Sequence, residues 1–219
     1  MLTTLHRRVK TTSQSSDAYH LIKEKIITLE LPPASVIDEA RLIAELGLGR
    51  TPIREALQRL ALDNLVVILP RRGTIVADLN MSDLQKIFEI RIELETYAVR
   101  LAAERATSTE IAAMEALFHN ADAVIHDGDN DRLIRLDHEA HRLLAEAAHN
   151  EFLEDMLEHL YNHVLRLWYV SLHRLQRLRE AIEEHREIIA AVKDRDSARA
   201  AQVMRRHITE FQAQFLAVR

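Results

Sequence analysis

Every proline in this chain (Pro32, Pro33, Pro52, Pro70) and three of its four glycines fall before residue 80. The remaining 140 or so residues hold Gly128 and no proline. Proline and glycine are the residues that interrupt helices, so their distribution divides the chain into a punctuated front part and a helical remainder. The front part predicts short elements and turns. The rest predicts a run of helices with short connections. A boundary near Asp78 to Asn80 follows, with a flexible tail over 1–14, a small domain over 15–79 and a helical domain over 80–219.

Within the front part, a helix over 38–46 ends in the turn Gly47-Leu48-Gly49, and a second helix opens at Thr51-Pro52. Threonine suits an N-cap and proline suits the first helical position, where no backbone donor is needed. Arg50 and Arg54 flank that start, and a helix N-terminus with two arginines attracts phosphates and guanine edges. Ile53, Ala56, Leu57 and Leu60 form the inward stripe at helical spacing. This is the pattern of a helix-turn-helix whose second helix reads DNA. A first helix over 16–29, with Leu21, Ile22, Ile26 and Leu29 inward, precedes it and is stopped by Pro32-Pro33.

Two β-rich runs follow, 65–69 and 74–77, joined by Pro70-Arg71-Arg72-Gly73. An apolar hairpin with a basic, glycine-containing tip reads as a wing that lies against the DNA backbone. Charge agrees with this division. Net charge is −5, yet residues 1–79 carry 11 Lys+Arg against 9 Asp+Glu, and the rest carry 18 against 25. Local charge governs DNA contact, and the basic excess sits with the helix-turn-helix.

The helical remainder reads as helices over 82–106, 108–127, 129–148, 151–170, 172–194 and 197–217. Ser82-x-x-Gln85 and Thr107-x-x-Glu110 have the form of capping boxes. Asp137 and His141 stand four residues apart and project from one face, beside Leu133, Ala140 and Leu144. His185 sits with Ile182 and Ile189, and His207 with Val203 and Phe211. A carboxylate and three imidazoles on apolar faces need compensation. One divalent metal would bind all four. Zn²⁺ comes first, with Mn²⁺, Ni²⁺ or Fe²⁺ also compatible with an aspartate and three histidines. Mutually hydrogen-bonded buried histidines, or histidines at a dimer interface, are the alternatives that spacing leaves open. Arg91, bordering a stripe of Ile87, Ile90, Leu94 and Ala98, is placed to clamp a carboxylate or to pair with Glu95. Arg166 is a second such anchor.

The absence of cysteine excludes disulfides and thiolate metal sites. No signal peptide and no apolar run of membrane-spanning length is present, which predicts a cytoplasmic protein without a membrane partner.

Glu39-x-x-Leu42, the run Gly47-Leu48-Gly49-Arg50-Thr51-Pro52-Ile53-Arg54-Glu55-Ala56-Leu57, Leu60 and the wing Pro70-x-x-Gly73-x-x-Val76 resemble the GntR family of bacterial transcription regulators. The helical part is similar to the FCD ligand-binding domain of the FadR subfamily, in its six-helix, VanR-type form. The resemblance implies a mostly α fold: a winged helix-turn-helix with a small β-hairpin wing, then an all-α six-helix antiparallel bundle. It implies a homodimer that binds a palindromic double-stranded operator, most simply as a repressor, and responds to a small carboxylic acid effector. In such domains an Asp-x-x-x-His pair and two later histidines hold a metal, and Asp137, His141, His185 and His207 fall on that pattern. Arg50, Thr51, Arg54 and Gly73 match DNA-contacting positions, with Arg72 adding attraction at the wing. Arg91 matches a ligand-cavity position, with Arg166 and His163 as further effector contacts. Two departures stand out: Gly49 replaces a frequent serine, and Ala40 replaces a frequent arginine, so that Arg41 is one residue out of register. Two rival readings are a helical domain that only dimerises around a structural metal, and a metal hydrolase with His163 as base.

Overall fold

The computed structural model describes residues 13–171 and 178–217. The expected tail lies outside them except for Ser13 and Gln14, which belong to the first helix. The chain divides into two compact units between Asp78 and Leu79.

The first unit opens with α1 (Gln14–Ile27), whose N-cap Ser13 accepts from the Ser16 amide. The helix thus starts two residues earlier than its apolar spacing suggested. β1 (Val36–Ile37) precedes α2 (Glu39–Leu46). Asp38 caps α2 by accepting from the Ala40 and Arg41 amides, and Gly47 ends it at φ 65°, a left-handed conformation that costs glycine little. α3 (Arg50–Leu62) follows after only two further residues. Its N-cap is Gly49, not the expected Thr51, and no side chain caps it. Pro52 therefore sits in the third helical position, still within the turn whose amides have no intrahelical acceptor.

β2 (Val66–Leu69) and β3 (Gly73–Val76) form the hairpin, with Leu69 opposite Gly73 and Val66 opposite Val76. β1 pairs antiparallel with the other edge of β3, making a three-stranded sheet in the order β1-β3-β2. The core joins Ala18, Ile22 and Ile26 of α1 to Ile53, Leu57 and Leu60 of α3 and to Leu65 and Val76 at the sheet. Each of the α1 and α3 side chains is at least 98% buried. At about 1.5–3 kcal/mol per fully buried aliphatic side chain, this packing fixes the outward face of α3. Leu21, expected inward, is 42% exposed, and Tyr19 takes the inward role, donating from its hydroxyl to Asp63.

The second unit comprises α4 (Met81–Arg105), α5 (Ser108–Leu117), α6 (Ala121–Asp127), α7 (Asn130–Glu146), α8 (Glu151–Ser171), α9 (Leu178–Lys193) and α10 (Ser197–Ala217). Asn80, rather than Ser82, caps α4 by accepting from the Ser82 amide. The Thr107 capping box is complete in both directions. The helix expected over 108–127 is two helices, because 118–121 close tight turns with amide bonds three residues back (Phe118 to Glu115, His119 to Ala116, Ala121 to Phe118). The expected start of the fifth helix at 172 lies outside the described residues. α10 packs along α4, where Phe211 stacks on Trp168 at 4.5 Å and meets Phe88 at 5.7 Å between ring centroids.

Candidate metal centre and nucleic-acid interface

On the first unit, Arg41, Arg50, Thr51, Arg54, Arg72 and Gly73 are all exposed. α2 and α3 present the first four, and the hairpin tip presents Arg72 and Gly73. Burial of Ile53, Ala56 and Leu57 turns Arg50 and Arg54 outward at the start of α3, where helix partial charge is positive. Arg54 Nε is 2.9 Å from Glu39 Oε2, and Arg41 Nε is 2.6 Å from Glu45 Oε1. Both pairs are solvent-accessible ion pairs that contribute little to stability, so a phosphate or base edge can replace either carboxylate at small cost. At the wing, Arg71 adopts φ 62° and Gly73 φ 91°, which turns the chain after Pro70 and leaves both arginines projecting.

In the second unit the four expected metal-binding side chains come together. One ligand atom from each of Asp137, His141, His185 and His207 lies within 4.8 Å of the others, and all four residues are buried. α7 supplies Asp137 and His141 from successive turns of one face, α9 supplies His185 and α10 supplies His207. His141 Nε2 and His207 Nε2 are 3.3 Å apart.

The surrounding groups explain the orientation. His185 donates from Nδ1 to the Ala181 carbonyl at 2.8 Å. His207 Nδ1 is 2.9 Å from Glu184 Oε2, and His141 Nδ1 faces Glu95 Oε2. With their Nδ1 atoms turned to carboxylates, His141 and His207 bring Nε2 to within 3.9 Å of the Asp137 carboxylate, and the His185 ring lies beside the same group, an arrangement in which imidazoles ligate metal. Tyr161 donates its hydroxyl to Asp137 Oδ2. Asp137 Oδ1 and His185 Nε2 are buried with no hydrogen-bond partner. An unsatisfied carboxylate oxygen and an unsatisfied ring nitrogen within one buried cluster are groups that a cation would satisfy.

Electrostatics point the same way. Burial, reinforced by His207, pushes His185 well below the usual histidine range, so its ring is neutral and its lone pair free to ligate. Burial opposes charge on Asp137, yet the three imidazoles and the Tyr161 hydrogen bond hold its carboxyl below the usual range. Burial, with the Asp137 charge, pushes the Tyr161 phenol up, so that it remains a donor.

Glu95, Tyr161 and Glu184 were not marked by the sequence as part of the site. Of these, only Glu95 carried a signal, its spacing from Arg91. Arg91 Nε pairs with Glu95 Oε1 at 2.5 Å, and both residues are more than 95% buried. The Arg91 guanidinium also lies 5.0 Å from the Tyr161 ring centroid. So the buried stripe of α4 is Phe88, Arg91, Glu95 and Ala98; Ile87 is only half-buried at its border and Ile90 is half exposed. Loss of an outer carboxylate of this kind costs metal affinity about 10–100-fold, and Glu184→Ala is expected to weaken binding by that factor in a competition titration with a chromogenic chelator.

A cavity of about 240 Å³ adjoins the cage, with His141, Glu95 and Tyr161 in its wall and α7 and α8 residues around it. Arg91, Arg166 and His163 are not among its lining residues. Arg166 is buried on α8, and His163 is half-buried, edge-on to His159 at 5.5 Å. His138 lines the cavity and stacks on Tyr161 at 4.8 Å.

Comparison with known families places both units. Residues 14–76 match the model of the bacterial regulatory proteins of the gntR family, and residues 86–210 match that of the FCD domain. The chain belongs to the GntR family and carries an FCD domain. It is therefore a DNA-binding transcription regulator and not an enzyme, which removes the hydrolase reading. It is 33% identical over 193 residues to the HTH-type transcriptional regulator YdhC of Bacillus subtilis, covering 86% of this chain and 85% of that one. It is 28% identical over 205 residues to the transcriptional repressor GlaR of Escherichia coli, covering 90% and 93%. The repressor RspR of Escherichia coli is 26% identical over 192 residues, 88% of this chain and 84% of its own. The solved structure of Escherichia coli McbR/YncC superposes with a TM-score of 0.85 at 24% identity, over 94% of this chain and 99% of that one, a likeness of fold alone. Among the described residues, no helix is long and apolar enough to cross a membrane.

Proposed function

We propose that this regulator is a cytoplasmic homodimeric repressor whose helical domain holds a divalent metal and, beside it, a small carboxylate effector. The observation that carries the sensing half is the convergence of one ring nitrogen from each of three histidines with the Asp137 carboxylate, one of whose oxygens is unpartnered, in a buried volume. Asp137, His141, His185 and His207 would hold the ion. Their three nitrogens and one oxygen suit Zn²⁺ first, with Mn²⁺, Ni²⁺ and Fe²⁺ as competitors whose occupancy follows availability. When bound, the ion supplies a Lewis-acidic anchor for the effector's carboxylate.

The protein's own residues do the rest. Glu95, Glu184 and the Ala181 carbonyl orient the rings, and Tyr161 orients Asp137. Arg91 holds Glu95 ionised against His141, and direct contact with the effector would require it to leave that pair. Arg166 and His163 enter as outer contacts. In the DNA-binding domain (15–79), Arg50 and Arg54 would read base edges, Thr51, Gly73 and Arg72 would meet the backbone, and Arg41 would reach phosphate once freed from Glu45. Two such domains, related by the dimer's two-fold axis, suit a short palindrome with half-sites in successive major grooves. Repression is favoured by the names of the relatives RspR and GlaR. Any switch requires that the effector bind the DNA-competent and incompetent states with different affinity.

The test is elemental analysis of protein purified without chelator, followed by thermal unfolding before and after stripping. About one equivalent per chain is expected, with stripping lowering stability by about 2.7 kcal/mol relative to protein at a hundred-fold excess of metal over Kd. Content below about a tenth of an equivalent that added Zn²⁺, Mn²⁺ or Ni²⁺ does not restore would reject the site. Metal with no effect of any small acid on operator affinity would leave only a dimerisation module with a structural ion.

A further inference from the structure

The outward face of α3 is set by what the helix buries. Ile53, Ala56, Leu57 and Leu60 turn inward. At about 100° per residue, the line opposite them runs through Glu55, Gln58 and Leu62. All three are exposed, Leu62 by 81%, which marks that line as the pole away from the core. Arg54 stands on one flank of it and meets Glu39. Arg59 stands on the other, its guanidinium 4.2 Å over the Tyr19 ring. The flanking cations are thus held by their own domain. At the pole, neither the Glu55 carboxylate nor the Gln58 amide has a hydrogen bond or ion pair among the described residues.

We propose that Glu55 and Gln58 read two neighbouring base pairs of each operator half-site, Gln58 taking an adenine and Glu55 a cytosine. This rests on the reading that α3 lies in the major groove, and it adds to the base edges assigned to Arg50 and Arg54. The glutamine amide offers a donor and an acceptor together, the complement of adenine N7 and its N6 amine. An ionised glutamate only accepts, so it suits the N4 amine of cytosine and is repelled by the two acceptors of guanine. Helix rise separates the two residues by about 4.5 Å, little more than one base-pair step of about 3.4 Å. Gln58 lies about 12 Å along the axis from Arg50, so one helix held in the groove carries all four side chains past the bases. A carboxylate facing phosphates weakens DNA binding, so at the centre of this face Glu55 is placed for a base amine and not for the backbone.

The experiment uses the full chain, operators selected from a random pool, and fluorescence anisotropy on duplexes carrying each single-base change. For the parent, replacing one adenine and one cytosine per half-site, adjacent or one pair apart, is expected to weaken binding about ten-fold each. Gln58→Ala should lose about ten-fold on the operator and become indifferent at that adenine alone, keeping the parent's preferences at the guanine positions. Glu55→Gln should change the preference at its own position from cytosine to adenine, a gain that a misfolded variant does not show. Gln58→Ala with parent affinity and an unaltered base profile overturns the Gln58 assignment, as does a loss shared equally by scrambled DNA. An unchanged cytosine preference in Glu55→Gln overturns the Glu55 assignment. If Arg54→Ala weakens operator binding in the same assay, those failures are confined to Glu55 and Gln58. If Arg54→Ala is also without effect, the placement of α3 in the groove falls with them.

Discussion

Glu95→Ala is expected to destabilise the helical unit by about 3–5 kcal/mol, the cost of stranding a buried charge by removing its partner. Glu95 is 4% exposed and lies between Arg91 Nε and His141 Nδ1. Removing it leaves a guanidinium that cannot shed its proton in the interior, and an imidazole N–H without its acceptor. The faces of Tyr161 and Phe88, 5.0 and 5.8 Å from the guanidinium carbon, offer cation–π attraction but no hydrogen-bond acceptor of carboxylate strength. Trp168, the chain's only tryptophan, is buried in this unit and stacked on Phe211, so its fluorescence follows the relevant transition. The midpoint of thermal unfolding should fall by roughly 10 °C. The double substitution Arg91→Met/Glu95→Leu should recover most of the loss, because an apolar pair of similar volume leaves neither charge stranded. If Glu95→Ala unfolds within about 1 kcal/mol of the parent, the pair is not the buried element described above.

The same region shows what the sequence could and could not disclose. Asp137 and His141 were legible because i, i+4 spacing on an apolar helix face is a local property, and so was the possible pairing of Arg91 with Glu95. The second oxygen of Glu95 reaches His141 on another helix, and Tyr161 and Glu184 reach Asp137 and His207 the same way. Those meetings are set by how helices pack, which no spacing along one helix records. The stripe of α4 was misjudged for a related reason. An arginine and a glutamate occupy inward positions normally given to aliphatic residues, so Ile90 looked like core and is half exposed. β1 is two residues long and pairs with β3 only through tertiary contact, leaving no alternation to detect. The break between α5 and α6 carries neither proline nor glycine. By contrast the turn at Gly47, the outward arginines and the wing are written in punctuation and short-range pattern, and the hairpin register agrees with them.

At the DNA face the largest single loss is expected from Arg54→Ala. A bidentate contact to a base edge contributes about 1–3 kcal/mol of discrimination, so affinity for an operator selected from a random pool should fall roughly 5- to 150-fold. Folding should be almost untouched: Arg54 is 60% exposed, and its pairing with Glu39 is a surface ion pair within about 1 kcal/mol of neutral. The wing gives the contrast. Arg72→Ala should weaken binding about equally on operator and unrelated DNA and reduce the slope of log affinity against log salt by about one. Arg54→Ala should instead relax preference at one base position per half-site, since a lost base contact removes sequence information and a lost phosphate contact does not. Fluorescence anisotropy across a salt series, on operator and scrambled duplexes, separates the two. Unchanged operator affinity in Arg54→Ala would mean that α3 does not lie in the groove as its exposed, arginine-flanked start implies. A loss shared equally by scrambled DNA would reassign Arg54 from base reading to backbone attraction.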